Sequence, residues 1–218
     1  MLCFSTASSG VFRMLRRTGL RILRSPTHTF ANCVQQRKID EVVRVDQAGE
    51  VAAVRICKYQ LFWTSPLDAS VSVVKEILKD EVVHEKTMND LAAKHSVRLT
   101  ALDPFFHLGA FAMGTVTAFL GKEAMMCCHA AVEITIAKHY NDQLRELEAL
   151  EPAERALKDD DAKAWKEIKD IVVQFRNEEE HHQHLGETNG ADQAPAYPIL
   201  YNGIRLACRM GVALAKKI

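Results

Sequence analysis

The 218-residue chain is short of the residues that interrupt helices, with 10 glycines and 6 prolines. Together with 48% hydrophobic and 26% charged residues, that scarcity excludes collagen-like, low-complexity and wholly disordered classes. No convincing stretch alternates apolar and polar residues as a half-buried strand does. The formal charge is zero, 28 basic residues against 28 acidic ones, so the basic footprint of a nucleic-acid binder is missing and no nucleic-acid partner is expected. A Rossmann glycine motif is also missing. Among the six cysteines no pair is spaced CxxC, so neither a zinc ribbon nor a dithiol redox motif follows. Cys57, Cys127, Cys128 and Cys208 read as small buried thiols in a reducing compartment.

The last absence is local. Residues 1–39 hold no Asp or Glu but seven basic residues, so the remaining 21 Lys and Arg face all 28 acids, a net of −7. Arginines interleaved with Phe12, Met14, Leu15, Leu20, Ile22 and Leu23 have the make-up of an amphipathic mitochondrial transit peptide. Residues 1–37 are therefore assigned to a leader, and residues 38–218 to a single domain.

What is present reads as helix. Expected segments run from Lys38 to Trp63, Leu67 to Lys94, Leu108 to Leu147, Pro152 to His184 and Pro198 to Lys217, with a turn at Asp103-Pro104. Val71, Val74, Leu78 and Val82, like Ile168, Ile171, Val172 and Phe175, recur at steps of three and four and mark one apolar face each. Long amphipathic helices with short connections imply an all-α bundle. Residues 104–121 carry no formal charge. They include His107, three glycines and two threonines, which favours an interfacial or buried segment over a membrane span. Phe105, Phe106, Phe111 and Phe119 are its expected lipid contacts.

Chemistry is suggested by Glu and His at helical spacing. Glu81 and His84 form a Glu-x-x-His pair, whose i and i+3 side chains share a face and reach one ion. A second occurs within Glu178-Glu179-Glu180-His181-His182, where Glu178 with His181 and Glu179 with His182 both fit and the apolar stripe does not decide between them. With 16 Glu and 9 His in the chain, one such pair is close to chance, so the context matters. Each pair is preceded by a helix carrying a further candidate, Glu50 and Glu133. Glu133 has no Asp, Glu, Lys or Arg within nine residues before it or four after it, and an unpaired charge there would be costly if buried. Gly49 beside Glu50 costs about 1 kcal/mol of helix propensity relative to Ala, which suggests close helix approach or ligand access. Glu, Glu-x-x-His, Glu, Glu-x-x-His across four helices is the ligand set of a carboxylate-bridged dinuclear site in a four-helix bundle. Its oxygen and nitrogen donors suit iron or manganese better than structural zinc.

The blocks RVDQAGE (44–50), DEVVHE (80–85), FLGKEAM (119–125), AVEITIAKHYNDQ (131–143), FRNEEEHH (175–182) and APAY (194–197) resemble, in order, the demethoxyubiquinone hydroxylases, the clock-1 type monooxygenases of ubiquinone biosynthesis. The resemblance spans roughly residues 38–215. It implies a ferritin-like bundle with additional membrane-interfacial apolar helical segments, bound peripherally to the matrix side of the mitochondrial inner membrane. By motif it places two irons on Glu50, Glu81, His84, Glu133, Glu179 and His182. It further implies O2 as co-substrate, NADH as reductant, a polyprenyl quinone as substrate, and other ubiquinone-biosynthesis proteins, including a lipid-binding one, as partners. His139 and Tyr140 match a family His-Tyr pair, with Tyr140 read as a polar group between quinone and metal. Three departures are visible: Gln47 stands where His is expected, Ile134 replaces a second acid after Glu133, and the connection before the fourth ligand helix is longer than expected. A ferritin-like ferroxidase or peroxidase would use the same ligands without an organic substrate. A non-catalytic lipid-binding scaffold would need no oxygen chemistry.

Overall fold

The computed structural model describes residues 33–150 and 159–218. These form six α-helices: α1 Cys33–Trp63, α2 Ser70–His95, α3 Asp103–Leu120, α4 Lys122–Ala149, α5 Asp159–Thr188 and α6 Tyr197–Ala215, with a 3-10 turn at Ala191–Gln193. No strand occurs among the described residues. The transit-peptide reading falls almost wholly on residues outside the described set, and so does most of the connection from Glu151 to α5.

Two antiparallel hairpins, α1 with α2 and α4 with α5, make a ferritin-like bundle whose apolar residues gather at its two ends. At one end Ile39, Val43, Met88, Tyr140, Trp165 and Phe175 pack together. At the other, Cys57, Val74, Ile77, Met125, Met126 and Ala130 do so. Glu50, Glu81, Glu133 and Glu179 each lie between residues of the two clusters along their own helix. The α5 stripe continues inward through Phe175 to Glu179 and His182, all buried. On α2 the expected stripe is corrected: Val82 is 45% exposed, and the inward face runs Val74, Ile77, Glu81, His84, Met88.

The long helix expected over Leu108–Leu147 is two helices. Gly121 adopts φ +100° and ψ −178°, a conformation open in practice only to glycine. The Asp103-Pro104 turn is likewise the first turn of α3, with proline where its missing N–H costs nothing. α3 then runs in the same direction as the second half of α1. It is joined there by Arg55 to Asp103 at 2.6 Å, Tyr59 to His107 at 2.6 Å and Trp63 Nε1 donating to Thr115 at 3.1 Å. Gly114 permits this approach, since a Cβ there would sit 2.7 Å from the Ile56 carbonyl oxygen. Gly186 does the same for α5 on α4, 2.7 Å from the Met126 carbonyl oxygen. Arg44 on α1 donates to the carbonyls of Ala215 and Lys216 at 3.1 and 3.2 Å, satisfying the open end of α6.

α3 and α6 cover the flank between α1 and α4. Their outer faces carry Phe105, Leu108, Phe111, Phe119, Ile199, Leu206 and Met210, all exposed. Phe106 differs from its expected role: it turns inward, and its ring lies 3.8 Å from where a Cβ on Gly211 would be. No helix among the described residues is long and apolar enough to cross a membrane.

Candidate metal centre

Midway along the bundle, four helices bring buried carboxylates and histidines together at one point. Glu50, Glu81, His84 and Glu179 form one buried group, and Glu81, Glu133, Glu179 and His182 form another. Within each group the donor atoms lie within 4.8 Å of one another. The groups share Glu81 and Glu179, one from each Glu-x-x-His pair. His84 Nδ1 is 3.3 Å from Glu179 and 3.4 Å from Glu50, and His182 Nδ1 is 3.2 Å from both Glu81 and Glu179. Glu179 and His182 thus face the interior, while Glu178 and His181 lie outside, with side chains 37% and 55% exposed.

Burial and mutual repulsion dominate the electrostatics. Burial raises the carboxyls of Glu81 and Glu133 well above the usual range, and the nearby Glu179 adds to it. For the histidines burial acts downward but is outweighed. Glu179 and Glu50 push His84 up to about 12, and Glu179 and Glu81 push His182 up to about 11. Those two imidazoliums hold Glu179 down to about 2 against its own burial. Protons on histidine are therefore the counter-charge available to four packed carboxylates. Neither oxygen of Glu81 nor Nδ1 of His84 has a hydrogen-bond partner, a costly arrangement for buried polar atoms. A pair of divalent cations satisfies both the orphaned atoms and the charge, so the residues fit a dinuclear metal site.

The outer nitrogens of the histidines are held reciprocally. Glu178 on α5 meets Nε2 of His84 on α2 at 2.6 Å, and Asp80 on α2 meets Nε2 of His182 on α5 at 3.4 Å. Such carboxylate partners orient an imidazole for a metal. Tyr140, 1% exposed, donates a hydrogen bond to Glu50. Burial and then the charges of Glu50 and Asp46 keep its phenol protonated. Tyr140 packs with Phe175 in one apolar cluster and is not among the residues lining the cavity described below. His139 contacts Asp46 at 3.4 Å rather than the cluster, and Asp46 also accepts from Gln143 at 2.7 Å. Burial raises the Asp46 carboxyl, with His139 and Gln143 opposing. Gln47 donates to Asn89 at 3.1 Å, bridging α1 and α2.

An apolar cavity of about 180 Å³ opens between α1, α3 and α6 and ends on Glu50, Glu81, Glu133 and Glu179. Gly49, Gly109, Phe106, Met113, Cys208 and Gly211 are among its walls. A Cβ at Gly49 would meet nothing within 4 Å. Of the two readings open for Gly49, ligand access is therefore the one the structure supports. The roles found here for Asp80, Glu178, Cys208 and Gly211 were not read from the sequence. The first two had a signal, an acid immediately before each Glu-x-x-His. The last two had none, because their place depends on where α6 folds back.

Helical hairpins with a buried carboxylate–histidine centre define the class as ferritin-like. Residues 37–215 match the family described as ubiquinone biosynthesis protein COQ7, and the chain belongs to that family. It is 39% identical to a Caenorhabditis elegans protein named NADPH-dependent 3-demethoxyubiquinone 3-hydroxylase, mitochondrial, over 91% of this chain and 99% of the relative. It is 37% identical to the 3-demethoxyubiquinol 3-hydroxylase of Rhodospirillum rubrum, over 83% and 78%. It is 34% identical to the mitochondrial 5-demethoxyubiquinone hydroxylase of Saccharomyces cerevisiae, over 99% and 94%.

Proposed function

We propose that this chain is a demethoxyubiquinone hydroxylase acting in mitochondria, a di-iron monooxygenase that adds a ring hydroxyl to a polyprenylated methoxybenzoquinone or its quinol. The observation that carries this reading is the apolar cavity that ends on the buried carboxylate–histidine cluster. Family membership and the names of the relatives support it. The net change replaces a ring C–H by C–OH, while the second atom of O2 leaves as water with two electrons and two protons. A nicotinamide donor supplies a hydride, and solvent supplies the other proton. NADH was the expected donor, whereas the C. elegans relative is named for NADPH.

Glu50, Glu81, His84, Glu133, Glu179 and His182 would hold two irons, which when bound supply the activation of O2. The chain's own residues prepare the site. Asp80 and Glu178 orient the two histidines, Tyr140 holds Glu50, and Gln143 holds Asp46 beside His139. The apolar walls exclude water and admit a ring and the first part of its tail. The exposed apolar faces of α3 and α6 flank this cavity and support a reading in which its mouth meets the matrix side of the inner membrane as a peripheral contact. A lipid-binding protein of the same pathway is the partner suited to that face.

The test is to incubate iron-loaded protein with demethoxyquinone, NADH or NADPH, and 18O2, and to follow the ring by mass spectrometry. One labelled oxygen atom per product is expected. Protein that holds two irons, consumes O2 and leaves the quinone unchanged would instead be a ferroxidase or peroxidase.

A further inference from the structure

A buried polar chain enters the metal centre from α3, and none of the roles assigned above uses it. Thr117 donates to the Met113 carbonyl at 2.8 Å. Its oxygen is then the acceptor for Gln60 Nε2 at 3.1 Å. The amide oxygen of Gln60 is thereby turned toward His129 Nε2, 2.8 Å away. All three side chains are sealed from solvent, at 1%, 0% and 2% exposure. Facing an amide oxygen, Nε2 carries the hydrogen, and Nδ1 of the neutral ring is left as a bare acceptor. That nitrogen faces Glu133 Oε1 at 3.7 Å, beyond hydrogen-bond range. The narrow gap beside them is lined otherwise by Ala53, Ile56, Cys57 and Val132, and none of these side chains is a strong donor.

We infer that His129 is a positioning residue for Glu133: Thr117 and Gln60 hold it in the tautomer whose Nδ1 cannot donate, so the Glu133 carboxylate finds no donor on that side and keeps both oxygens for the metal centre. The inference rests on the metal-binding reading of the six-residue cluster. The opposite tautomer would put a hydrogen on Nδ1, bind Glu133 Oε1 and compete with a cation for it. Reaching that state requires the Gln60 amide to flip and the Thr117 hydroxyl to leave the Met113 carbonyl. The α3 helix therefore determines, through two side chains, which way a carboxylate on α4 is free to turn.

Two measurements test this. In metal-free protein, 15N NMR of the His129 ring reads the tautomer directly and needs no variant: hydrogen on Nε2 is expected, and hydrogen on Nδ1 would overturn the inference. Cobalt(II) titration then reports the two dissociation constants. Thr117→Val removes the acceptor for Gln60 and is expected to weaken one of the two sites by about 10-fold, the lower end for partners of metal ligands, while Thr117→Ser binds as the parent does. Adding His129→Leu to Thr117→Val removes the competing donor and should restore the lost affinity, which a purely structural defect would not show. Parent-like affinity in Thr117→Val, or no restoration in the double variant, would sink the proposal. A parent protein that takes up fewer than two cobalt ions would overturn the metal-centre reading, and this inference with it.

Discussion

Asp80 and Glu178 each precede, on their own helix, the glutamate shared by both donor groups, and each reaches the histidine of the other helix. A residue one step before a ligand points about 100° away from it on its own helix. It therefore misses the centre but meets the imidazole arriving from the facing helix. Glu178→Ala and Asp80→Ala are each expected to weaken metal binding by roughly 10–100-fold while two ions still bind at saturation. His181→Ala, with its side chain 55% exposed, should bind as the parent does, and chelator competition separates these outcomes. Gly49 carries a different kind of information, since open space surrounds its missing Cβ. Gly49→Val puts branched carbon into the cavity beside Glu50. Metal content should stay at the parent level while quinone affinity falls by about an order of magnitude, roughly 1.4 kcal/mol of lost fit. Parent-like quinone binding would move the substrate elsewhere.

Among the elements, α3 owes its existence as a separate helix to Gly121. Any side chain at φ +100° and ψ −178° is strained, and such positions cost of order 1–3 kcal/mol. Gly121→Ala should lower the unfolding free energy by about that amount in urea titration; a neutral result would mean that the α3–α4 junction relaxes freely. The same helix separates its two faces cleanly. Ala110, Gly114 and Thr117 are buried against the bundle, and Phe105, Leu108 and Phe119 are 71%, 65% and 71% exposed. Phe105→Glu with Phe119→Glu is expected to release the protein from liposomes at unchanged metal content. Retention on the vesicles would transfer the membrane contact to α6.

For the whole molecule, the centre makes stability depend on pH in a way that metal damps. His84 and His182 are raised from the ordinary histidine value to about 12 and 11. Their stabilising protonation is complete below about pH 6.5 and is lost as pH rises toward those values. Glu81 and Glu133 are also raised, so they too hold protons that the unfolded chain releases, and they act with the same sign. Glu179, lowered to about 2, acts oppositely, but only below about pH 4.5. Metal-free protein should therefore melt at a lower temperature at pH 9 than at pH 6. Metal-loaded protein should show the smaller change, because cations replace the protons. Calorimetry at the two pH values checks both statements, and a metal-free melting temperature that rises with pH would contradict this charge assignment.

Residue type and spacing alone determined the helical class, the two Glu-x-x-His pairs and the two further glutamates, because helical periodicity makes a face legible at steps of three and four. They could not choose between Glu178 with His181 and Glu179 with His182, since both registers extend the same stripe from Phe175. They also ran one helix through Gly121, because a backbone dihedral leaves no mark in an apolar run. Only packing decided that Tyr140 donates to Glu50, that Phe106 turns inward while its neighbour Phe105 turns out, and that Asp80 and Glu178 serve each other's helices. Those outcomes depend on which helices meet and how far apart they stand, a property of the assembled bundle that no single helix encodes.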